Sequence, residues 1–221
     1  MPNWTWNRIA CKKSIADKIL TKTEKGYSFD FNKLIKMPED LNVESGSRGH
    51  FGLIYLYLKS TNDLEKKNIN DAYKSCNPFF KDIYREGRFG QMEENPEEFE
   101  NDKDFQECLN IAKKYVSNYE KYGHCSWYNW CIDNWGTKWN VGEDLEVEME
   151  SNDEFIITFN TAWSPPRGII MEYSKLCKDD EFNWEYENED YDGHHILRKE
   201  NGTIFDNVID CDEDISDDIE M

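Results

Sequence analysis

The sequence predicts an α+β fold, an antiparallel sheet with helices on one face, from three observations. The apolar period changes along the chain: Phe105, Cys108, Leu109, Ala112, Tyr115, Val116 and Tyr119 recur at helical spacing, whereas Leu145, Val147 and Met149 alternate with Asp144, Glu146, Glu148 and Glu150. Hairpin turns are written as Asp192-Gly193 and Asn201-Gly202 on either side of His195 to Lys199. Finally, 221 residues with 14% aromatic and 38% hydrophobic content supply a core for one decorated domain.

The elements follow in order. Trp4-Thr5-Trp6-Asn7-Arg8-Ile9-Ala10-Cys11 reads as a first strand, and Ser14 is positioned to cap a short helix through Ile15, Ile19 and Leu20. Residues 29–34 read as extended. Residues 44–52 turn polar and Gly-rich, and 59–81 carry helical candidates, so about 45–91 is read as a helical insertion. Within it, 51–58 fits a strand or a buried helix equally well. The helix through Phe105 to Tyr119 has Asp102 or Asp104 as its N-cap, and a second one follows, with Trp127, Cys131 and Trp135 on one stripe and Gly136 as its stop. Two strands come next, then Ser164-Pro165 as cap and first turn of a helix through Ile169, Ile170, Tyr173, Leu176 and Cys177. Phe182, Trp184 and Tyr186 alternate with Asn183, Glu185 and Glu187 in a later strand. The order β-α, helical insertion, β-β-α-β-β is that of a ferredoxin-like sandwich over residues 1–209, with 210–221 an acidic tail.

Charge narrows the function classes. With 46 Asp and Glu against 26 Lys and Arg, the formal net charge is -20. Phosphate-backbone binding rests on Lys and Arg displacing counterions, so direct nucleic-acid binding is excluded as the leading role and a basic protein becomes the expected partner. Seven cysteines without framework spacing, no apolar leader and no membrane-length apolar run lead to the expectation of a reducing bacterial cytoplasm.

Met1-Pro2-Asn3-Trp4 with Asn7, then Phe29-Asp30-Phe31-Asn32-Lys33-Leu34-Ile35 running into Met37-Pro38-Glu39, are followed by two Trp-bearing strings. These are Asn134-Trp135-Gly136-Thr137-Lys138-Trp139 and Thr161-Ala162-Trp163-Ser164-Pro165-Pro166. Together they resemble the YubB-type ferredoxin-like family of plasmid and phage proteins. The resemblance implies the fold and a gene carried by a mobile element, and it implies no catalytic activity. The long acidic insertion and tail depart from the family pattern.

Catalytic strings are missing: no nucleophile elbow, P-loop, dinucleotide fingerprint or HExxH is present, and no cofactor is implied. His124, Cys125, Cys131, His194 and His195 lack zinc-site spacing, and a buried thiol on a helical stripe accounts for Cys131. The leading expectation is therefore a non-catalytic inhibitor of a host nucleic-acid-binding defence nuclease, anti-CRISPR-like in form. Clustered carboxylates would imitate phosphate, with Glu93, Glu94, Glu97 and Glu98 and the run Glu185, Glu187, Glu189 and Asp190 as partner contacts. The alternative is an enzyme or small-ligand protein with a pocket near Trp135, Lys138, Trp139 and Trp163, Lys138 being the anion contact. Against that pocket, both Trp135 and Trp163 are expected to be buried between helix and sheet.

Overall fold

The computed structural model describes residues 3–76, 102–151 and 153–209, and element labels follow chain order through them. The strands are β1 (Trp4–Lys12), β2 (Leu20–Thr23), β3 (Gly26–Phe29), β4 (Glu146–Met149), β5 (Glu154–Ala162), β6 (Trp184–Asn188), β7 (His194–Glu200) and β8 (Thr203–Ile209). The helices are α1 (Lys13–Ile19), α2 (Ser47–Lys59), α3 (Asp63–Cys76), α4 (Lys103–Tyr122), α5 (Trp127–Trp135) and α6 (Arg167–Ser174). Two compact units result, one from Met1–Lys36 with Cys131–Met221 and one from Met37–Trp130.

The first unit is built on a six-stranded antiparallel sheet of order β4-β5-β1-β6-β7-β8. Strand β1 lies between β5 and β6, β4 lies outside β5, and α6 joins β5 to β6. That is the ferredoxin-like arrangement, with the β7–β8 hairpin added at one edge. In β1 the residues Thr5, Asn7, Ile9 and Cys11 are buried and Trp4, Trp6 and Arg8 face the other way. The apolar tryptophans thus leave the core and a polar pair enters it. Burial of Asn7 is compensated: its Nδ2 donates to Thr5 O and to Thr161 Oγ1, each at 2.9 Å, and its Oδ1 accepts from Trp184 Nε1 at 3.2 Å. Above this face Ile15 and Ile19 of α1 and Ile169, Ile170 and Tyr173 of α6 are buried. Edge-on rings link the layers, Phe29 to Phe159 at 5.4 Å, Phe159 to Trp184 at 5.9 Å and Trp184 to Tyr173 at 5.4 Å.

The second unit is helical. Leu53, Ile54, Tyr55, Ile69, Tyr73, Phe105, Leu109 and Tyr115 form its buried cluster. Residues 51–58 belong to α2, and a side chain at Gly52 would meet the Cys108 carbonyl of α4, so glycine is what lets these helices touch. Asp102 caps α4 by accepting from Asp104 N at 2.8 Å, and Gly123 ends it at φ 73. The unit begins before and runs beyond the expected insertion limits of 45–91 because α4 buries its stripe against α2 and α3.

Several local expectations change. Ser14 lies inside α1, whose N-cap is Lys12: the chain passes from β1 into the helix without a capping side chain, Lys13 N donating to Asp153 O at 2.8 Å. The helix expected to start at Ser164-Pro165 begins at Arg167, because Ser164 Oγ donates instead to Gly136 O at 2.6 Å. The extended segment 29–34 splits into β3 and a 3-10 turn at Phe31–Lys33. Asn201 (φ 51) and Gly202 (φ 78) make the expected hairpin between β7 and β8.

Candidate functional site

The quoted strings meet in space and divide into residues that fasten the fold and residues that leave it. Asn140 Oδ1 accepts from Phe31 N at 2.9 Å while its Nδ2 donates to Asp30 Oδ1 at 2.6 Å. Trp135, 3% exposed, stands edge-on to Phe31 at 5.7 Å and donates from Nε1 to Ile35 O at 2.9 Å. Thr137 Oγ1 donates to Ala162 O at 2.9 Å. Gly136 ends α5 at φ 85, with the Arg167 backbone where a Cβ would stand. These residues tie the end of α5 to the starts of two other segments, and the tie is structural.

Lys138, Trp139 and Trp163 leave the fold. Trp163 is 46% exposed and Trp139 38% exposed, which corrects the expected burial of Trp163. Its backbone is left-handed, φ 73, held by Trp163 N donating to Asn3 O at 2.8 Å, and this turns the indole outward. The Lys138 ammonium lies 4.2 Å from the Trp139 ring centroid and 4.7 Å from that of Trp163, a cation between two indoles. Trp4, 44% exposed, joins the group with its ring 6.1 Å from Trp139. Trp135 is thus separate from the other three residues of the expected pocket. Trp4 takes its place, a residue that sequence reasoning missed because the alternation Trp4, Trp6 looks like a core face.

A cleft of about 300 Å³ opens beside this patch, lined among others by Trp4, Trp163, Arg167, Glu189, Asp190 and Asp192. The acidic run is divided between it and the sheet. Glu185 bonds Arg8 at 3.0 Å, and His194 reaches Glu185 at 3.4 Å and Glu187 at 2.6 Å, so two of the expected contact carboxylates are engaged on the sheet. Glu189 Oε2 accepts from Trp4 N at 2.7 Å and Asp190 Oδ1 from Asn3 Nδ2 at 3.2 Å, which sets both at the cleft. Asp192 accepts from Asn188 Nδ2 at 3.0 Å; burial would raise its pKa, but this bond and the neighbouring His195 outweigh that and hold it below the ordinary value. Glu93, Glu94, Glu97 and Glu98 and the tail 210–221 lie outside the described residues.

The residues weighed for metal do not converge: among the described residues no group of three or more His, Cys, Asp or Glu is placed to hold an ion. His194 and His195 take opposite faces of β7, His195 stacked on Tyr186 at 4.2 Å. Burial pushes the Cys131 thiol up to about 12, an inert core thiol, and Cys125 Sγ donates to Ala72 O at 3.1 Å. No described helix is long and apolar enough to cross a membrane.

Residues 134–220 match a family model described as a ferredoxin-like domain in Api92-like protein, which agrees with the sheet order. No curated protein and no solved structure matches the chain.

Proposed function

We propose that this is a non-catalytic binding protein that docks on the basic surface of a nucleic-acid-binding partner, in the form of a mobile-element inhibitor of a host defence nuclease. The reading is carried by the gathering of Trp4, Trp139 and Trp163 at one exposed patch of a chain with net charge -20. Exposed tryptophans are the residues that dominate interface energetics, while like-signed charge steers a complementary partner toward them. Resemblance to the YubB-type family of plasmids and phages supplies the mobile-element context. The acidic surround imitates a phosphate backbone in charge, and the indoles supply the short-range contact that charge alone lacks.

The test is affinity capture from a bacterial lysate, followed by binding of the purified partner. Affinity should fall steeply between low and high salt, and Trp139→Ala should cost at least about tenfold in Kd with folding unchanged. A partner whose affinity is indifferent to both salt and Trp139→Ala would sink the reading.

A further inference from the structure

We propose that the cleft between Trp4 and Trp163 is a receptor for a single arginine side chain presented by another protein. It rests on the reading above for its biological setting and otherwise on the geometry of the cleft alone. The cleft has two aromatic walls and three carboxylates, Glu189, Asp190 and Asp192, against one cation in its lining, Arg167. Arg167 offsets only one of them, and its charge also faces the Tyr186 hydroxyl, while Asp192 lies 3.3 Å from His195 Nε2. Even with the Lys138 ammonium 4.7 Å from the Trp163 ring centroid counted beside Arg167, three carboxylates against two cations leave a negative surplus, which favours a cation over a phosphate or carboxylate ligand.

Preorganisation points the same way. Glu189 and Asp190 are each held through one carboxylate oxygen, by Trp4 N and by Asn3 Nδ2. The second oxygen of each, Glu189 Oε1 and Asp190 Oδ2, makes no hydrogen bond among the described residues. Two fixed acceptors beside exposed indoles match the planar fork of a guanidinium, which stacks on an aromatic face while its N–H groups reach carboxylate oxygens. An ammonium offers no such plane. At about 300 Å³ the cleft is at the lower end of ligand pockets, the size that suits a side chain. The left-handed Trp163, with N bonded to Asn3 O, fixes that indole at the wall from the same segment that fixes Asp190.

The experiment needs no identified partner. The full chain, labelled with ¹⁵N, is titrated with acetyl-Gly-Arg-Gly-amide at constant ionic strength, with the corresponding Lys and citrulline peptides as controls, and the indole N–H signals are followed. Trp4→Phe and Trp163→Phe assign the two signals. The arginine peptide should shift those two selectively, the lysine peptide more weakly and citrulline not at all, and Glu189→Gln with Asp190→Asn should weaken the response about tenfold. Equal response to arginine and lysine, shifts spread over the indoles at large, or none at Trp4 and Trp163 would overturn the proposal. Any of these leaves partner capture and its salt dependence standing, so the two readings fail separately.

Discussion

Trp135 and Trp163 stand in two similar strings and have opposite fates, and substitution should separate them. Removing the buried Trp135 ring deletes its contact with Phe31 and leaves Ile35 O without its donor, so Trp135→Ala should cost about 3 to 5 kcal/mol by denaturant titration. Trp163→Gly should stay within about 1 kcal/mol of wild type, since glycine relieves the left-handed backbone that the indole endures. Partner binding should nevertheless collapse. Asp30 gives a second test. Burial alone would raise its pKa, but hydrogen bonds from Asn140 and Asn32 outweigh that and hold it below the ordinary 3.8. A carboxyl whose folded pKa lies below its unfolded one stabilises fully above the unfolded value and loses that contribution as pH falls through the folded one. Asp30→Asn should therefore be less stable than wild type at neutral pH, with the gap closing as acid is taken below 3.8.

At the level of elements, Gly136 is the join between α5 and the start of α6. Gly136→Ala imposes a left-handed alanine and sets a methyl against the Arg167 backbone, a cost of about 1 to 3 kcal/mol from the backbone alone, readable as a lowered Tm. Periodicity made α4, β5 and the β7–β8 hairpin legible in the sequence because each has a long apolar repeat or an Asn-Gly turn. It failed where a segment's partner decides its form. Residues 51–58 are helical because Gly52 admits α4, and Ser164 leaves the cap it was suited for because Gly136 O is near. The two sheet edges also differ in a way no local pattern shows. Strand β4 is four residues long with Glu146 and Glu148 alternating, a guarded edge, whereas β8 is seven residues with Phe205, Val208 and Ile209 exposed. The one carboxylate of β8, Asp206, is taken by Tyr186 OH at 2.8 Å and His195 Nδ1 at 3.0 Å.

On the scale of the whole molecule, composition supplied the expectation of a basic partner but no surface for it to meet. Lys138, Trp139 and Trp163 were singled out by residue type, and the structure gathers them; Trp4, Glu189 and Asp190 complete the site through pairing across β1 and the loop after β6. That assembly depends on the sheet, and the sheet closes late. Asn7 meets Thr161, 154 residues further along, whereas the contacts within Met37–Trp130 are shorter in range. Pulse-labelled hydrogen exchange during refolding should therefore protect α2 and α4 amides before those of β1, and simultaneous protection would contradict this order. On a ribosome making about 5 to 20 residues per second, β1 is synthesised roughly 8 to 30 s before β5, its partner in the sheet. Once it has emerged, and until β5 follows, its apolar residues are available to a ribosome-associated chaperone or to another nascent chain on the same message. The yield of native protein thus becomes a matter of translation speed between codons 13 and 154, and synonymous changes there, which alter no contact at all, should alter how much folds.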